Sequence, residues 1–152
     1  MSKIYVDEIR PKTSGSAVIF PDKPYVAVDM GGGGSYESVA LNAIFPFDNV
    51  YDGDSSLWDA SSYEFTCPVA GLYLMTFVGL INTGTDMAID FQKNNSTFLK
   101  TFVTSERGLQ ASHIVKCVAN DTLRYKHVGA TQTYYNGQTT SRYTAATIAL
   151  IG

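Results

Sequence analysis

Charged residues are scarce in this sequence, and long apolar runs are absent. Charged residues make up 16% of the 152 residues, against about a quarter in an average soluble domain. No run approaches the ~20 apolar residues that a membrane-spanning helix needs, so we expect no membrane partner. The formal net charge of −3 provides no basic patch to neutralise phosphates, and we therefore expect no nucleic-acid partner.

Cysteine and histidine are also rare, with two of each. Cys67 and Cys117 have neither CxxC spacing nor a Cys/His zinc pattern. Both lie in apolar alternating runs, which favours free, buried thiols and leaves a single disulfide as the alternative. His113 and His127 lack metal-ligand spacing as well, and we expect them to form hydrogen bonds at strand surfaces. The sequence therefore predicts no metal and no cofactor.

The first residues do not resemble a secretion signal. Lys3 is followed by Asp7 and Glu8, where a signal peptide would have an apolar run. We therefore expect a chain that is made and folded in a cytoplasm. Its length is sufficient for one domain with a substantial hydrophobic core.

Short apolar runs that alternate with clusters of Gly, Pro, Asn, Asp and Ser indicate an all-β protein. No segment has a sustained helical period. Turn residues stand at 52–53, 94–95, 120–121 and 136–137, where Asn, Asp or Gly tolerates a positive φ. Many short strands with such spacing favour a sandwich or jelly roll. The predicted strands are Ile4–Glu8, Ala17–Phe20, Tyr25–Asp29, Ser62–Thr66, Gly71–Asn82, Met87–Lys93, Thr97–Thr104, Ala111–Val118, Thr122–Val128 and Tyr143–Leu150.

The long strand at Gly71–Asn82 is apolar on both faces. An antiparallel sheet normally has one face in water, so the second apolar face needs cover from another subunit or, alternatively, from a loop. The last strand repeats the pattern with small and aliphatic residues on both sides. We predict an oligomer interface, formed by Leu72, Leu74, Thr76, Val78, Ile148 and Leu150.

The stretch YEFTCPVAGLYLMTF at 63–77 resembles the F-x-x-P-x-x-G-x-Y signature of C1q/TNF-like jelly rolls. Segments similar to the family also occur at 44–48, 90–95, 119–123 and 143–150, although Asn95 and Asn120 stand where glycine is usual. The resemblance covers residues 25–152. It implies a ten-stranded jelly-roll sandwich that assembles as a homotrimer.

Residues 6–15, VDEIRPKTSG, resemble a segment at the start of many fibre and structural proteins of tailed phages, notably phages of cyanobacteria. Two short strand-like runs, at 4–6 and 17–20, flank the Pro-Gly hinge of this segment. An extended arm of this kind can add to a sheet edge on a neighbour. We predict that residues 1–24 are an attachment arm; a disordered leader or an extra hairpin on its own domain is the alternative. The arm residues expected to make contacts are Ile4, Tyr5, Val6, Ile9, Arg10, Pro11, Val18, Ile19 and Phe20.

Four aromatic residues are candidates for ligand binding in loops: Tyr51, Trp58, Tyr134 and Tyr135. Loop aromatics stack on sugars or anchor protein contacts, and packing onto their own domain is an equal alternative. The acidic stretch at 50–61 lacks the order of an EF-hand, so we expect a solvated loop and leave calcium binding open. The glycine run at 31–34 lacks the Lys-Ser/Thr of a phosphate loop and predicts a flexible loop.

The two resemblances together imply a non-enzymatic virion protein of a tailed phage. In this interpretation a trimer decorates or cements the capsid, attached through its arm to other virion proteins, with the major capsid protein as the expected partner. The alternative is a short tail fibre or fibre tip that recognises host surface glycans. Two rivals remain open: a polysaccharide depolymerase on the same fold, and a soluble C1q-like ligand of cellular origin.

Overall fold

The computed structural model describes residues 23–31, 34–84, 86–104, 106–136 and 141–152. The predicted arm, with its expected strands Ile4–Glu8 and Ala17–Phe20, lies outside the described residues except for Lys23 and Pro24. The centre of the glycine run and Gly137 of the expected turn at 136–137 also lie outside them. The part of the chain that is described contains no helix long and apolar enough to cross a membrane.

The described residues form two five-stranded sheets and a two-stranded ribbon, all antiparallel. The strands are β1 (Tyr25–Asp29), β2 (Tyr36–Val39), β3 (Asn49–Gly53), β4 (Trp58–Asp59), β5 (Glu64–Thr66), β6 (Gly71–Leu80), β7 (Met87–Lys93), β8 (Ser96–Val103), β9 (Gly108–Cys117), β10 (Thr122–His127), β11 (Gln132–Tyr135) and β12 (Ala145–Leu150). The first sheet has the order β3-β1-β12-β6-β9, the second has the order β4-β5-β10-β7-β8, and β11 pairs with β2. A 3-10 helix, Ser55–Leu57, lies between β3 and β4.

The two sheets enclose one hydrophobic core that is rich in aromatic rings. In β6, Tyr73, Met75 and Phe77 are buried, and the residues between them face outward. The hydroxyl of Tyr125 in the second sheet reaches two backbone carbonyl oxygens of the first sheet, at 2.8 Å from Thr76 and 3.1 Å from Thr147. One buried side chain thus connects the middle of one sheet to two adjacent strands of the other.

The all-β prediction is confirmed, and so are the eight predicted strands that fall within the described residues, with small shifts at their ends. β2, β3, β4 and β11 were not predicted from the sequence. These strands have five residues or fewer and mix aromatic and apolar residues with polar and turn residues, so pairing with distant segments decides their conformation. β2 and β11, for example, pair only with each other among the described strands.

The asparagines that replace the usual glycines adopt the backbone conformation that glycine would supply. Asn95 has a φ of 65° and Asn120 a φ of 70°, and asparagine tolerates this left-handed region better than most residues. Gly53 has a φ of 90°, and a Cβ there would lie 2.5 Å from the Tyr25 carbonyl oxygen. The expected turns at 94–95 and 120–121 therefore occur with the predicted chemistry. The turn expected at 52–53 does not occur, because Asp52 and Gly53 belong to β3 and pair with β1 where the register of the two strands shifts.

The two cysteines are free and buried, which confirms the favoured prediction. Burial is the largest cause that raises the pKa of both thiols. Cys67 and Cys117 also form a side-chain hydrogen bond with each other. They therefore act as small core residues at the end of the sandwich where β9 finishes.

Replacing Tyr125 with Phe tests the connection between the sheets. Tyr125→Phe keeps the ring and removes the hydroxyl that reaches Thr76 and Thr147. We expect the free energy of unfolding to fall by about 1 kcal/mol, measured by urea unfolding. Tyr143→Phe is the control, since it removes a hydroxyl from a residue that is 39% exposed, and we expect a change within about 0.5 kcal/mol. Unchanged stability of Tyr125→Phe would contradict the role of the hydroxyl.

Candidate interaction surface

The outward side of the first sheet carries an apolar patch centred on β6, next to Gln110, Ser112 and Lys116 of β9. Directly paired residues of antiparallel strands point to the same side. Leu74 of β6 lies opposite Ile114 of β9 on one flank and Ala149 of β12 on the other. Thr76 lies in the same way between Ser112 and Thr147. The strand register thus assembles side chains from three strands into one surface.

We call this surface the outer apolar face and define it by Leu72, Leu74, Val78, Leu80, Ile114 and Ala149. Leu72 is 44% exposed, Val78 is 40% exposed and Ile114 is 49% exposed. Contiguous exposed apolar surface of this kind is typical of protein–protein contacts. Four predicted interface residues, Leu72, Leu74, Thr76 and Val78, lie on this side of the sheet. Their role in an oligomer stays a prediction.

The assignment of Ile148 and Leu150 to the same face is wrong. Ile148 lies opposite Met75 and is fully buried, and Leu150 lies opposite Tyr73 and packs against the core. The register of β12 against β6 sets this orientation. The outward residues of β12 are instead Thr147 and Ala149.

The predicted aromatic loop residues all lie in strands, and two of them belong to the core. Trp58 is 6% exposed, and its Nε1–H donates to the Phe47 carbonyl oxygen at 2.9 Å. Tyr134 is fully buried. For these two residues the equal alternative, packing onto their own domain, is therefore the correct one, because β4 and β11 turn them inward.

Tyr51 and Tyr135 remain partly accessible, but the structure does not bring them together. The guanidinium of Arg142 lies 3.8 Å above the centre of the Tyr51 ring. Tyr135 instead packs between two tyrosines that sequence reasoning missed, Tyr36 and Tyr143. In the sequence, the adjacent pair Tyr134–Tyr135 is the signal that points to this group of rings. Nothing local marks Tyr36 or Tyr143, since the three rings come from separate segments.

The acidic stretch stabilises its own turns. Asp54 accepts hydrogen bonds from the Ser56 amide at 2.9 Å and from the Ser56 hydroxyl at 2.6 Å. The same pattern joins Asp59 to Ser61, and these hydrogen bonds lower the pKa of Asp59 to about 2. Asp52 accepts from the Tyr25 hydroxyl at 3.1 Å. Within the described ranges, no group of three or more His, Cys, Asp and Glu residues is arranged to hold a metal ion.

His127 lies in the core, which corrects the expectation of a strand-surface position. It is fully buried, and its ring nitrogens contact the Tyr134 hydroxyl at 3.1 Å and the Ala130 carbonyl oxygen at 2.7 Å. These contacts fit a neutral ring that donates from Nε2 to Ala130 and accepts at Nδ1 from Tyr134. Burial lowers the pKa of His127. His113 is half-buried beside the ring of Phe98, with ring centres 5.4 Å apart.

Acid should destabilise the fold through His127. The pKa of His127 is lower in the folded protein than in the unfolded chain, where it is about 6.5. As the pH falls below that value, the unfolded chain binds a proton that the folded protein does not, so the free energy of unfolding decreases. We expect His127→Gln to be less stable near pH 7 but to show a flatter decrease towards about pH 5, measured by urea unfolding. An unchanged slope in His127→Gln would contradict the assignment.

Two antiparallel five-stranded sheets packed in this order, with the first sheet apolar on both faces, define a jelly roll of the C1q/TNF type. The family model of the C1q domain matches residues 34–144, and the chain belongs to the C1q-domain family. Domains of this type are generally non-enzymatic binding or structural modules. The jelly-roll fold implied by the sequence is therefore confirmed.

Solved structures with the same fold come from very different sources. The Eiger TNF of S. frugiperda has a TM-score of 0.69 at 8% identity, with 87% of this chain and 94% of that chain covered. The globular domain of zebrafish complement 1qA has a TM-score of 0.65 at 12% identity, with coverages of 86% and 98%. The PRD1 phage vertex protein P5 has a TM-score of 0.58 at 16% identity, with coverages of 88% and 100%. At these identities the similarity is one of fold. No curated protein sequence matches the chain significantly.

Proposed function

We propose that this protein is a non-enzymatic structural component of a phage virion, and that it acts as a homotrimer attached through its N-terminal arm. The observation that carries the trimer is the outer apolar face. The sandwich covers one side of β6, while Leu72 and Val78 on the other side are 44% and 40% exposed. Chains of the C1q/TNF fold are typically homotrimers, and a closed symmetric trimer buries the same face of each copy.

The arm supports the virion role. Residues 6–15 resemble the start of phage fibre and structural proteins, and a phage vertex protein shares the fold of the domain. We favour decoration or cementing of the capsid, with the major capsid protein as the partner of the arm, because a vertex is part of a capsid shell. The protein would then assemble in the host cytoplasm and lie on the virion surface.

A short tail fibre or fibre tip that binds host glycans is the second candidate. The observation that favours it is the group of tyrosine rings formed by Tyr36, Tyr135 and Tyr143. Partly exposed aromatic rings of this kind serve as contact platforms for ligands. Both candidates require the same trimer and the same arm, and they differ in what the tyrosine group binds.

Charge on the outer apolar face should prevent the trimer from forming. We expect light scattering to give the original protein a mass of about three times 16.5 kDa. Val78→Glu combined with Ile114→Glu should give monomers, because the carboxylates would be buried without partners. Both side chains are at least 40% exposed in the single chain, so the monomer should stay folded.

Phe102→Glu is the matched control. Phe102 is 70% exposed on β8 of the second sheet, and this variant should remain a trimer. A monomeric original protein would refute the proposal.

Removal of the arm should separate folding from attachment. We expect the chain without residues 1–22 to keep its trimer mass and its unfolding temperature, because β1 and the sandwich start after this segment. The shortened protein should be missing from purified particles of the phage, with the full-length chain as the reference for occupancy by quantitative mass spectrometry. Normal occupancy of the shortened protein would show that the arm is not the attachment element.

A further inference from the structure

A tyrosine-lined cleft lies where the ribbon of β2 and β11 meets the first sheet. Its volume is about 360 Å³, within the size range of small-molecule sites. None of the described residues that line it is charged. We call it the tyrosine cleft and define it by Gly34, Tyr36, Leu80, Tyr135, Asn136 and Tyr143.

Three aromatic rings form most of the wall of the tyrosine cleft. The ring centres of Tyr36 and Tyr135 lie 4.5 Å apart, and those of Tyr135 and Tyr143 lie 5.8 Å apart. Tyr36 is 51% exposed and Tyr143 is 39% exposed, so the outer two rings are open to an incoming molecule. Covering a large, solvent-exposed aromatic surface with the apolar face of a ligand is favourable, because it removes both surfaces from water.

Hydrogen bonds hold these rings in place without a ligand. The Tyr36 ring packs directly on the Tyr135 ring, and the Tyr135 hydroxyl donates to Asn82 Oδ1 at 3.2 Å. Arg107 in turn donates to the carbonyl oxygens of Ile81 and Asn82. A preformed wall lowers the entropy cost of binding.

The cleft also contains an unsatisfied polar atom. Asn136 is 5% exposed, and its Oδ1 is buried with no hydrogen-bond partner among the residues that the structure describes. Buried acceptors are normally paired, and an unpaired one is costly. A ligand that brings an O–H or N–H group to Oδ1 would remove this cost.

We propose that the tyrosine cleft binds a neutral sugar ring, with Tyr36 and Tyr143 packing against its C–H faces and Asn136 Oδ1 accepting a hydroxyl. A sugar combines the apolar faces that the rings require with the donor that Asn136 lacks. A proline-rich peptide also packs on aromatic rings, but proline has no N–H to donate to Oδ1. No charged side chain among the described residues lines the cleft, so a neutral ligand leaves no charge there unpaired.

The position of the cleft suits a virion protein that binds weakly at several sites. Leu80 and Tyr143 also line a second cleft of about 340 Å³ that includes Val78 and extends over the outer apolar face. Each copy in a trimer would carry one tyrosine cleft at the rim of the interface. Linked sites raise the overall affinity for a surface that presents many sugars. This inference rests on the second candidate function, the glycan-binding virion protein.

The test uses the full-length protein and four neutral probes: glucose, galactose, mannose and N-acetylglucosamine. We expect saturation-transfer NMR to detect at least one of them, with a dissociation constant in the millimolar range. Tyr36→Ala and Tyr143→Ala should each weaken binding roughly tenfold. The control Phe102→Ala, which removes an even more exposed ring outside the cleft, should bind normally.

Absence of binding by all four sugars would overturn the proposal, as would binding that neither alanine variant weakens. Binding of a proline-rich peptide in place of the sugars, with loss of that binding in Tyr143→Ala, would also overturn it and assign the cleft to a peptide. Tyr143 lies outside the strands, so Tyr143→Ala gives a folded variant even if Tyr36→Ala does not. Trimer mass and virion occupancy are measured separately, so a failed sugar site is distinguishable from a failed virion role.

Discussion

The structure depends on one strand that is apolar on both faces. β6 lies between β12 and β9, and its inward residues Tyr73, Met75 and Phe77 are buried in the core. Its outward residues have no such cover, although full burial of a large apolar side chain contributes about 1.5–3 kcal/mol. The same strand therefore creates the core of one chain and the reason for that chain to associate with others. Folding and assembly share a single structural cause.

The outward face of the second sheet is mostly polar. Arg124 contacts Glu64 at 2.7 Å and Gln92 at 2.9 Å, and Thr97 donates to Asp90 at 2.7 Å. These polar groups pair with one another across four neighbouring strands, except that Asp90 Oδ1 has no hydrogen bond within the described residues and lies 3.7 Å from Lys100 Nζ. On the outward side of the first sheet, β6 and β12 carry aliphatic residues and threonine, and β9 places Gln110, Ser112 and Lys116 around Ile114. This asymmetry between the two outer faces argues that the first sheet, and not the second, meets another copy.

The sequence predicts most of the sandwich because alternation is a local property. The pattern in β6 separates Tyr73 from Leu72 correctly, and the strand ends follow from turn residues such as Asn94 and Asn120. The orientation of β12 is not local. Its two faces are similarly apolar, and only the pairing of Thr147 with Thr76 decides that Ile148 enters the core.

The tyrosine cleft could not be predicted for a related reason. Tyr36, Tyr135 and Tyr143 belong to β2, β11 and the segment before β12, and long-range pairing alone brings them together. Two of the four aromatic residues that the sequence offered as candidates, Trp58 and Tyr134, fill the interior instead. Composition thus indicates that aromatic rings are available for binding, but topology decides which of them reach the surface.

Assembly and ligand binding are physically linked if both proposals hold. Leu80 and Tyr143 line the tyrosine cleft and also border the outer apolar face. Burial of that face between copies would restrict Leu80, which forms one wall of the cleft, and a restricted wall binds at a lower entropy cost. A ligand that binds the trimer more tightly than the monomer must stabilise the trimer to the same extent. Contact with a sugar-bearing surface would then strengthen the assembly that carries the site.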